Sequence, residues 1–581
     1  MAYSRLQKLA SYIRPHWKQS MTGIAALLAV NGLGVYIPLL IRNGINDLEN
    51  AINLSQITGQ VLLIFGLASV MWVIRMISRI LIFGVGRQVE FDLKQKIFEH
   101  LLTLEPSYFS NSRIGDLINR ATSDVDNIRR LLGFAILSLA NTVFAYGLTL
   151  PVMLMINVKL TLFSISVYPI MLILVQIFSD KLRDQQMEVQ EKLSNISDLI
   201  QEDMSGISLI KIYAQEENEQ RAFERYNQEL FSANLSLAKT RNFLFPVLGG
   251  LASLSLLILL AVGDRSIAQG ELNVGDFVAL ILYIDRLVFP TALLGFTITS
   301  YQRGEVSIDR IEAILNVQPK IHDHPDPIPL STPVRGWLTA RDLSYSYPGD
   351  QTLALDHVNF TIKPGETVAI VGPIGSGKST LANALPRLLD INIDCVFLDG
   401  QDITQLRLYE LRNAIAYVPQ ESFLFSTTIR ENVRYGNPLA DAYQIESAAK
   451  IAQIHGEILN FPQQYDTIVG ERGITLSGGQ RQRTALARAL LVDAPVLILD
   501  DALSSVDNQT ATEILQNLTT GTQRKTVVFI SHQMSAAAKA DRILVMDQGR
   551  IVQEGTHEQL VQQKGLYQSL WNQHQLEELL I

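Results

Sequence analysis

Long unbroken apolar runs fill the first half of the chain, whereas short apolar runs alternating with helical patterns fill the second, so two kinds of folding unit are expected. About twenty apolar residues cross a bilayer as a helix. Six stretches reach that length, near 20–41, 57–83, 131–156, 160–179, 243–263 and 277–300. None reads as a cleaved signal peptide, because the first lacks a small-residue cleavage site and further spans follow it.

The connections differ in length and charge. Those near 84–130 and 179–242 are rich in helix formers and carry few breakers beyond Pro106, Gly115 and Gly206. They predict helical hairpins reaching roughly 35–45 Å at ~1.5 Å per residue. Tips, or short helices beside them, are expected at 107–113 and 204–207. Arg5, Lys8, Arg14 and Lys18 precede the first span, and both hairpins are rich in Lys and Arg. The connection at 42–56, with Arg42 against Asp47 and Glu49, Asn157-Val158-Lys159, and the loop holding Asp264, Arg265, Glu271 and Asp276 are short and poor in positive charge. Cytoplasmic loops hold the excess of Lys and Arg, so the hairpins and both termini are expected in the cytoplasm of a multi-pass protein of the cell's inner membrane.

From His322 to Pro333 the chain reads His-Asp-His-Pro-Asp-Pro-Ile-Pro-Leu-Ser-Thr-Pro, which cannot continue a helix and marks a linker. His322 and His324 stand two apart, but with no cysteine or third histidine nearby they read as linker residues and not as a metal site. The expected limits are an N-terminal elbow at 1–19, a membrane domain at 20–318, the linker at 319–335, an α/β domain at 336–574 and a tail at 575–581.

Composition sharpens this picture. A chain of 581 residues exceeds one core, and charged residues are only 18% of it, scarce between 20 and 300. A net charge of −9 argues against nucleic acid as a partner, because a phosphate backbone needs a basic surface. Cys395 is the single cysteine, so no internal disulfide forms. Charges inside spans are costly unless paired or wet. Arg75 and Arg79 lie one turn apart in the second span, and Asp285 and Arg286 lie near the middle of the sixth. Asp285, with Arg286, is the first candidate for a substrate-cavity wall; an ion pair with Arg286, Arg75 or Arg79 is the alternative.

The chemistry is concentrated in the second half. Val368-Ala369-Ile370-Val371 reads as a buried strand and leads into Gly372-Pro373-Ile374-Gly375-Ser376-Gly377-Lys378-Ser379-Thr380. The glycines let backbone N–H groups wrap phosphate oxygens, Lys378 reaches the terminal phosphates, and the Ser379 hydroxyl is suited to Mg²⁺. Pro386 is expected to kink the helix that follows. Val496-Leu497-Ile498-Leu499 is the second strand such a site needs, ending at Asp500, a further oxygen ligand for Mg²⁺, and followed by Asp501. Ser477-Gly478-Gly479 open a helix beginning Gln480-Arg481-Gln482, another helix N-terminus primed for an anion.

Taken together, these motifs resemble an ABC transporter of the exporter type, a half-transporter of the bacterial lipid and multidrug kind, and the likeness covers nearly the whole chain. Leu476 to Gln480 match the signature motif, Gln420 in Tyr417-Val418-Pro419-Gln420 the Q-loop, and His532 in Ile530-Ser531-His532 the switch histidine. Ser504-Ser505-Val506-Asp507 resembles the D-loop, Tyr347 the aromatic that stacks on adenine, and Gly470-Glu471-Arg472-Gly473 the exporter X-loop. The resemblance implies an all-α six-helix membrane domain fused to a cytosolic α/β P-loop NTPase, with ATP and Mg²⁺ as cofactors. It implies Lys378, Gln420, Asp501 and His532 as catalytic residues, and Ser379, Gln420 and Asp500 around the metal. It also implies a second half-transporter as partner, whose ATP the 476–480 cradle closes over, and alternating access that carries a small amphipathic or lipid-like substrate out.

One position departs from the family. The residue after the Mg²⁺-binding aspartate is usually Glu, the general base for the attacking water; here it is Asp501. Losing a methylene retracts the carboxylate by ~1.3 Å, and a positioned general base is worth about 10²–10⁴ in rate. A weakened site in one half of a heterodimer is therefore the favoured expectation. A homodimer hydrolysing ATP with Asp501 is the alternative, supported by the intact Gln420 and His532. An ATP-gated channel or regulatory membrane subunit is the rival class. It is disfavoured because only about twenty residues precede the first span and the tail after 571 is short.

Overall fold

The structure, a computed structural model, describes residues 2–50, 54–268, 272–350, 352–470, 473, 475–519 and 524–580. Glu471 and Arg472 of the expected X-loop, and Glu271, lie outside the described residues. The chain divides into two units, 1–102 with 113–317 and 103–112 with 318–581.

In the first unit, six helices are long and apolar enough to cross a membrane: Gln7–Leu48, Ile57–Thr103, Ile114–Ile156, Val158–Ser205, Glu216–Asp264 and Val274–Leu315. Each contains one of the predicted apolar stretches and extends it with polar turns. They are not equivalent. Half of the sixth span's apolar window is buried inside the chain, against 6% of the second's, so the sixth is the central post and the second turns its apolar side chains outward. Tyr283, Leu287 and Leu280 of the sixth span pack with Ala145, Met153 and Leu160 in one core, while Ile308 and Ile311 join Val89, Ile97, Ile128 and Leu132 in another.

Apolar packing cannot tell a helix from lipid, so small and polar residues join the spans. The Ser78 hydroxyl donates to the Gly23 carbonyl at 2.8 Å, Tyr283 to the Val35 carbonyl at 2.7 Å, and Tyr168 to the Ile284 carbonyl at 2.7 Å. At the far end of the sixth span Glu312 accepts from Tyr12 at 2.6 Å and pairs with Lys8, which ties down the N-terminal segment. The third span is interrupted by two π-turns, Arg120–Asp124 and Leu131–Ala135. The long helix Tyr168–Ser205 runs back along Glu216–Ala268, joined by Lys192 to Glu229 at 2.9 Å and Gln185 to Ser236 at 2.7 Å. Short helices stand at the two turn-prone segments, Pro106–Asn111 and Ile207–Ile212. The first of these groups with the second unit, where the Lys320 amide donates to Glu105 Oε2 at 3.3 Å.

The second unit contains ten strands among the described residues. β1 (Leu338–Tyr345), β2 (Leu355–Ile362), β4 (Val396–Leu398) and β5 (Gln401–Asp402) form an antiparallel sheet in the order β2-β1-β4-β5. β3 (Thr367–Val371), β6 (Ile415–Val418), β7 (Val496–Asp500), β8 (Thr526–Ile530), β9 (Arg542–Asp547) and β10 (Arg550–Gly555) form the other, ordered β10-β9-β3-β8-β7-β6. β9, β3, β8, β7 and β6 are mutually parallel. Every residue of β3, β7 and β8 is buried, as expected of parallel strands covered on both faces. Cys395 is buried in the core around β1 and β3. His322 and His324 are exposed, their Nδ1 atoms 2.9 Å from the Asp323 and Asp326 carbonyls. The helix after the phosphate loop runs only from Lys378 to Ala384, so Pro386 does not kink it; the helix has ended, and Pro386 follows its C-terminus.

Candidate functional site

Ligands of open parallel sheets bind beyond the carboxyl ends of the strands. Here four neighbouring strands, in the order β3-β8-β7-β6, each deliver one predicted group at that end. β3 leads into 372–377, β8 into Ser531-His532, β7 ends at Asp500 followed by Asp501, and Gln420 lies two residues past β6. The motifs are scattered over more than 150 residues of sequence, and parallel pairing brings them to one edge.

The loop itself is shaped by its glycines. Gly377 has φ of +94°, and a Cβ there would lie 2.4 Å from the Ala354 carbonyl oxygen, so no side chain fits. The turn folds Lys378 inward until it is 6% exposed, its Nζ donating to the carbonyls of Gly372 at 2.9 Å and Pro373 at 2.6 Å. Burial pulls the Lys378 ammonium below its ordinary range, against the opposing charges of Asp501 and Asp500. Ser376 is buried beneath the loop, whereas Ile374 at its crest is exposed. Tyr347 lies at the rim, its hydroxyl 3.1 Å from Thr380 Oγ1 and its ring edge-on to Tyr345.

Ser379 Oγ donates to Asp500 Oδ1 at 3.0 Å. A hydroxyl and a carboxylate oxygen side by side are hard donors of the kind Mg²⁺ takes. Asp500 is almost fully buried, and burial raises its carboxyl above the usual range, as expected for a carboxylate suited to a cation. The residues therefore fit the ion. Tyr417, quoted in the sequence only as part of the Q-loop strand, also belongs here, donating to Asn383 Oδ1 at 2.9 Å and Asp500 Oδ2 at 3.3 Å. Its signal was an aromatic hydroxyl at the end of a buried strand, where an unpartnered O–H is costly. Tyr417→Phe is expected to lower ATP turnover roughly 10- to 150-fold, the worth of one hydrogen bond to a charged group. Unchanged turnover in a phosphate-release assay would reduce Tyr417 to packing.

Asp501 is 8% exposed and sits at φ of +50°, a left-handed conformation in which Asp is enriched over most residues. Its amide donates to the Ile530 carbonyl at 3.1 Å, pinning the turn to β8 beside His532. Burial raises its carboxyl, while the nearby His532 and the Ser504 hydroxyl act to hold it down. His532 and Gln420 are both exposed at this edge.

The 476–480 segment is built separately. Ser477 Oγ accepts from the Gln480 amide at 3.2 Å, and Gln480 Oε1 accepts from the Ser477 amide at 2.9 Å. This capping box opens the helix Gly478–Leu491 and leaves the Gly478 and Gly479 amides outside the helical ladder, free for an anion. Gln480 Nε2 is held by Glu457 at 2.8 Å. Gln482, two residues on, clasps the 504–507 loop, donating to Ser504 Oγ at 3.0 Å and accepting from the Ser505 amide at 2.9 Å.

A cavity of 490 Å³ lies among the spans of the first unit. Arg286 lines it and Asp285 does not; successive helical residues point about 100° apart, and Asp285 is exposed. Arg286 pairs with no carboxylate in this wall and instead donates to Asn31 Oδ1 at 3.1 Å.

Comparison with known proteins gives a single direction. The profile described as "ABC transporter transmembrane region" matches residues 21–291, and that described as "ABC transporter" matches 355–504. The chain is 33% identical over 575 residues, 99% of its length and 97% of the other's, to the "Multidrug resistance-like ATP-binding protein MdlA" of Escherichia coli (strain K12). It is 35% identical to the "ATP-dependent lipid A-core flippase" of Desulfotalea psychrophila (strain LSv54 / DSM 12343), covering 84% of this chain and 85% of that one. Among solved structures, a bacterial Atm1-family exporter with ATP bound superposes with a TM-score of 0.78 at 25% identity, over 96% of this chain and 99% of that one.

Proposed function

The chain belongs to the ABC transporter family, as a multi-pass inner-membrane half-transporter whose ATP-binding domain is an ATPase coupled to transport, and from that premise we propose how it works. It exports a small amphipathic or lipid-like substrate from the cytoplasm or inner leaflet, working as one of two halves. The Lys- and Arg-rich hairpins and both termini face the cytoplasm. The domain limits are 1–19, 20–318, 319–335, 336–574 and 575–581.

Lys378 exchanges its bonds to the Gly372 and Pro373 carbonyls for the terminal phosphoryl oxygens of ATP, while the backbone N–H groups of 374–377 hold the phosphate chain and Tyr347 faces adenine. Mg²⁺, held by Ser379, Gln420 and Asp500, would neutralise charge on the β- and γ-phosphoryl oxygens. The Gly478 and Gly479 amides complete the site on the partner's nucleotide. ATP can drive closure only through its greater affinity for the closed state, and a nucleotide gripped by two cradles has that property because the open state lacks one of them. His532 orients the terminal phosphate, and Asp501 takes a proton from the attacking water.

The observation that carries this reading is the pair of cradles, one around Lys378 and one at Ser477, built on separate helices of one domain. The test places Ile374→Cys in one copy and Ser477→Cys in another, in a Cys395→Ala background. An ATP-dependent disulfide dimer is expected. Cross-linking of the chain expressed alone favours a homodimer; cross-linking only with an unlike half favours the heterodimer, which the short Asp501 side chain supports. Absence of nucleotide-dependent cross-linking in either setting would sink the two-cradle reading.

A further inference from the structure

Three arginines converge on the 490 Å³ cavity, Arg75 and Arg79 from the second span and Arg286 from the sixth, and among the described residues its lining contains no Asp or Glu. Arg75 lies close enough to both Arg79 and Arg286 for their charges to repel. Like charges are gathered here with no carboxylate among the described lining residues, and intramembrane charges that lack an acidic partner mark a function.

The wall is built to hold Arg286 in place. Asn31 is 2% exposed and accepts from Arg286 Nη2 through both its side-chain oxygen and its carbonyl, at 3.1 and 3.3 Å. The Asn31 amide nitrogen in turn donates to Asn141 Oδ1 at 3.1 Å. Gly34 leaves the slot the guanidinium occupies; a Cβ there would fall 1.8 Å from Nη1. Arg286 Nε is buried and makes no hydrogen bond. An oriented guanidinium lining the cavity, beside two more cations, is a receptor for a planar or tetrahedral anion.

Beyond the arginines and the polar Asn31, Ser138 and Asn141, the lining of the cavity is apolar. Phe83, Phe134 and Leu293 line it, and Phe134 also lines a second cavity of 660 Å³ that Arg303 borders. Phe134 stands on the π-turn Leu131–Ala135, a distortion often found at functional sites. Along the sixth span, residues 286, 289, 293, 296, 300 and 303 fall on one helical face and line first one cavity and then the other.

We propose that this cavity binds the acidic headgroup of an anionic amphiphile, with Arg75, Arg79 and Arg286 holding the headgroup and the phenylalanine-lined surface taking the apolar body. This rests on the export reading and names its substrate class. Amphiphiles of neutral or cationic headgroup gain nothing from the arginines, and a free anion leaves the apolar wall unused.

The test uses the full-length chain in nanodiscs of neutral phosphatidylcholine, with dodecyl phosphate, dodecyl maltoside, dodecyltrimethylammonium and inorganic phosphate as probes. Thermophoresis is expected to give dodecyl phosphate at least tenfold tighter binding than the other three. Arg75→Gln combined with Arg286→Gln should abolish that preference while nucleotide binding persists as a sign of folding. Gly34→Ala, which displaces the guanidinium without removing charge, should weaken dodecyl phosphate several-fold. Equal binding of the cationic probe, or a preference that survives the double substitution, overturns the proposal. Displacement of dodecyl phosphate by equimolar inorganic phosphate would assign the site to a free anion and overturn the amphiphile. ATP-driven movement of the neutral or cationic probes, with none of dodecyl phosphate, would overturn the anion site and leave export standing. The anion preference without ATP-driven movement of any probe supports the site and counts against export alone.

Discussion

Lys378→Ala is expected to reduce ATP turnover by at least about 10³-fold and to weaken nucleotide binding by about 10- to 100-fold. Hydrogen bonds to charged groups contribute about 1.5–3 kcal/mol each. Lys378 offers three donors, now directed at the Gly372 and Pro373 carbonyls and at Ser376 Oγ in the loop. In the nucleotide complex those donors turn to phosphoryl oxygens whose charge grows as the bond breaks, so turnover falls further than affinity. Lys378→Arg should not rescue. The guanidinium is planar and bulkier, and the loop admits the ammonium where Lys378 is already 6% exposed. Fluorescent-nucleotide titration and phosphate release on the purified chain read the two effects separately. Turnover retained within tenfold would remove Lys378 from the phosphate site.

That site was legible in the sequence because its residues are local. A strand, a glycine-rich turn and a lysine within a dozen positions fix the loop before any tertiary contact is known, and the family resemblance supplied the order of the remaining motifs. Tyr417 was less visible. Its contact with Asp500 spans 83 residues and depends on β6 pairing with β7, which no local pattern states. Pro386 misled for a related reason: the helix after the loop ends at Ala384, two residues before the proline, and only that observed end shows why proline is tolerated.

The spans were read correctly in number from apolar length alone, but length says nothing about which helical face meets which neighbour. Asp285 and Arg286 are adjacent in sequence, and the choice of which lines the cavity depends on the rotation of the sixth span. Packing against Val35, Tyr168 and Ala145 sets that rotation. Asn31 and Asn141 drew no notice in the sequence, although a carboxamide in the middle of an apolar span is itself a signal that it has a partner.

Asp501→Glu is expected to raise the turnover of the chain expressed alone by about 10- to 100-fold with little change in KM. The added methylene advances the carboxylate by ~1.3 Å toward the attacking water, and a well-placed general base is worth about 10²–10⁴. Two effects work against the full gain. Position 501 is at φ of +50°, where a longer side chain loses the ease that Asp has, a cost of about 1–2 kcal/mol in the left-handed region. The side chain is also 8% exposed, so an extra methylene must find room beside Ser504 and His532. Neither cost is large enough to cancel a gain of two powers of ten in the chemical step, and the strain should show instead as a lower melting temperature. Asp501→Asn supplies the complementary measurement. If the native aspartate already acts as base, Asn drops turnover by about 10²-fold; if the site only holds ATP, Asn changes little. Robust wild-type turnover that Glu fails to raise and Asn abolishes would mean that this chain hydrolyses ATP with the shorter acid, and the weakened-site argument for an unlike partner would fall with it.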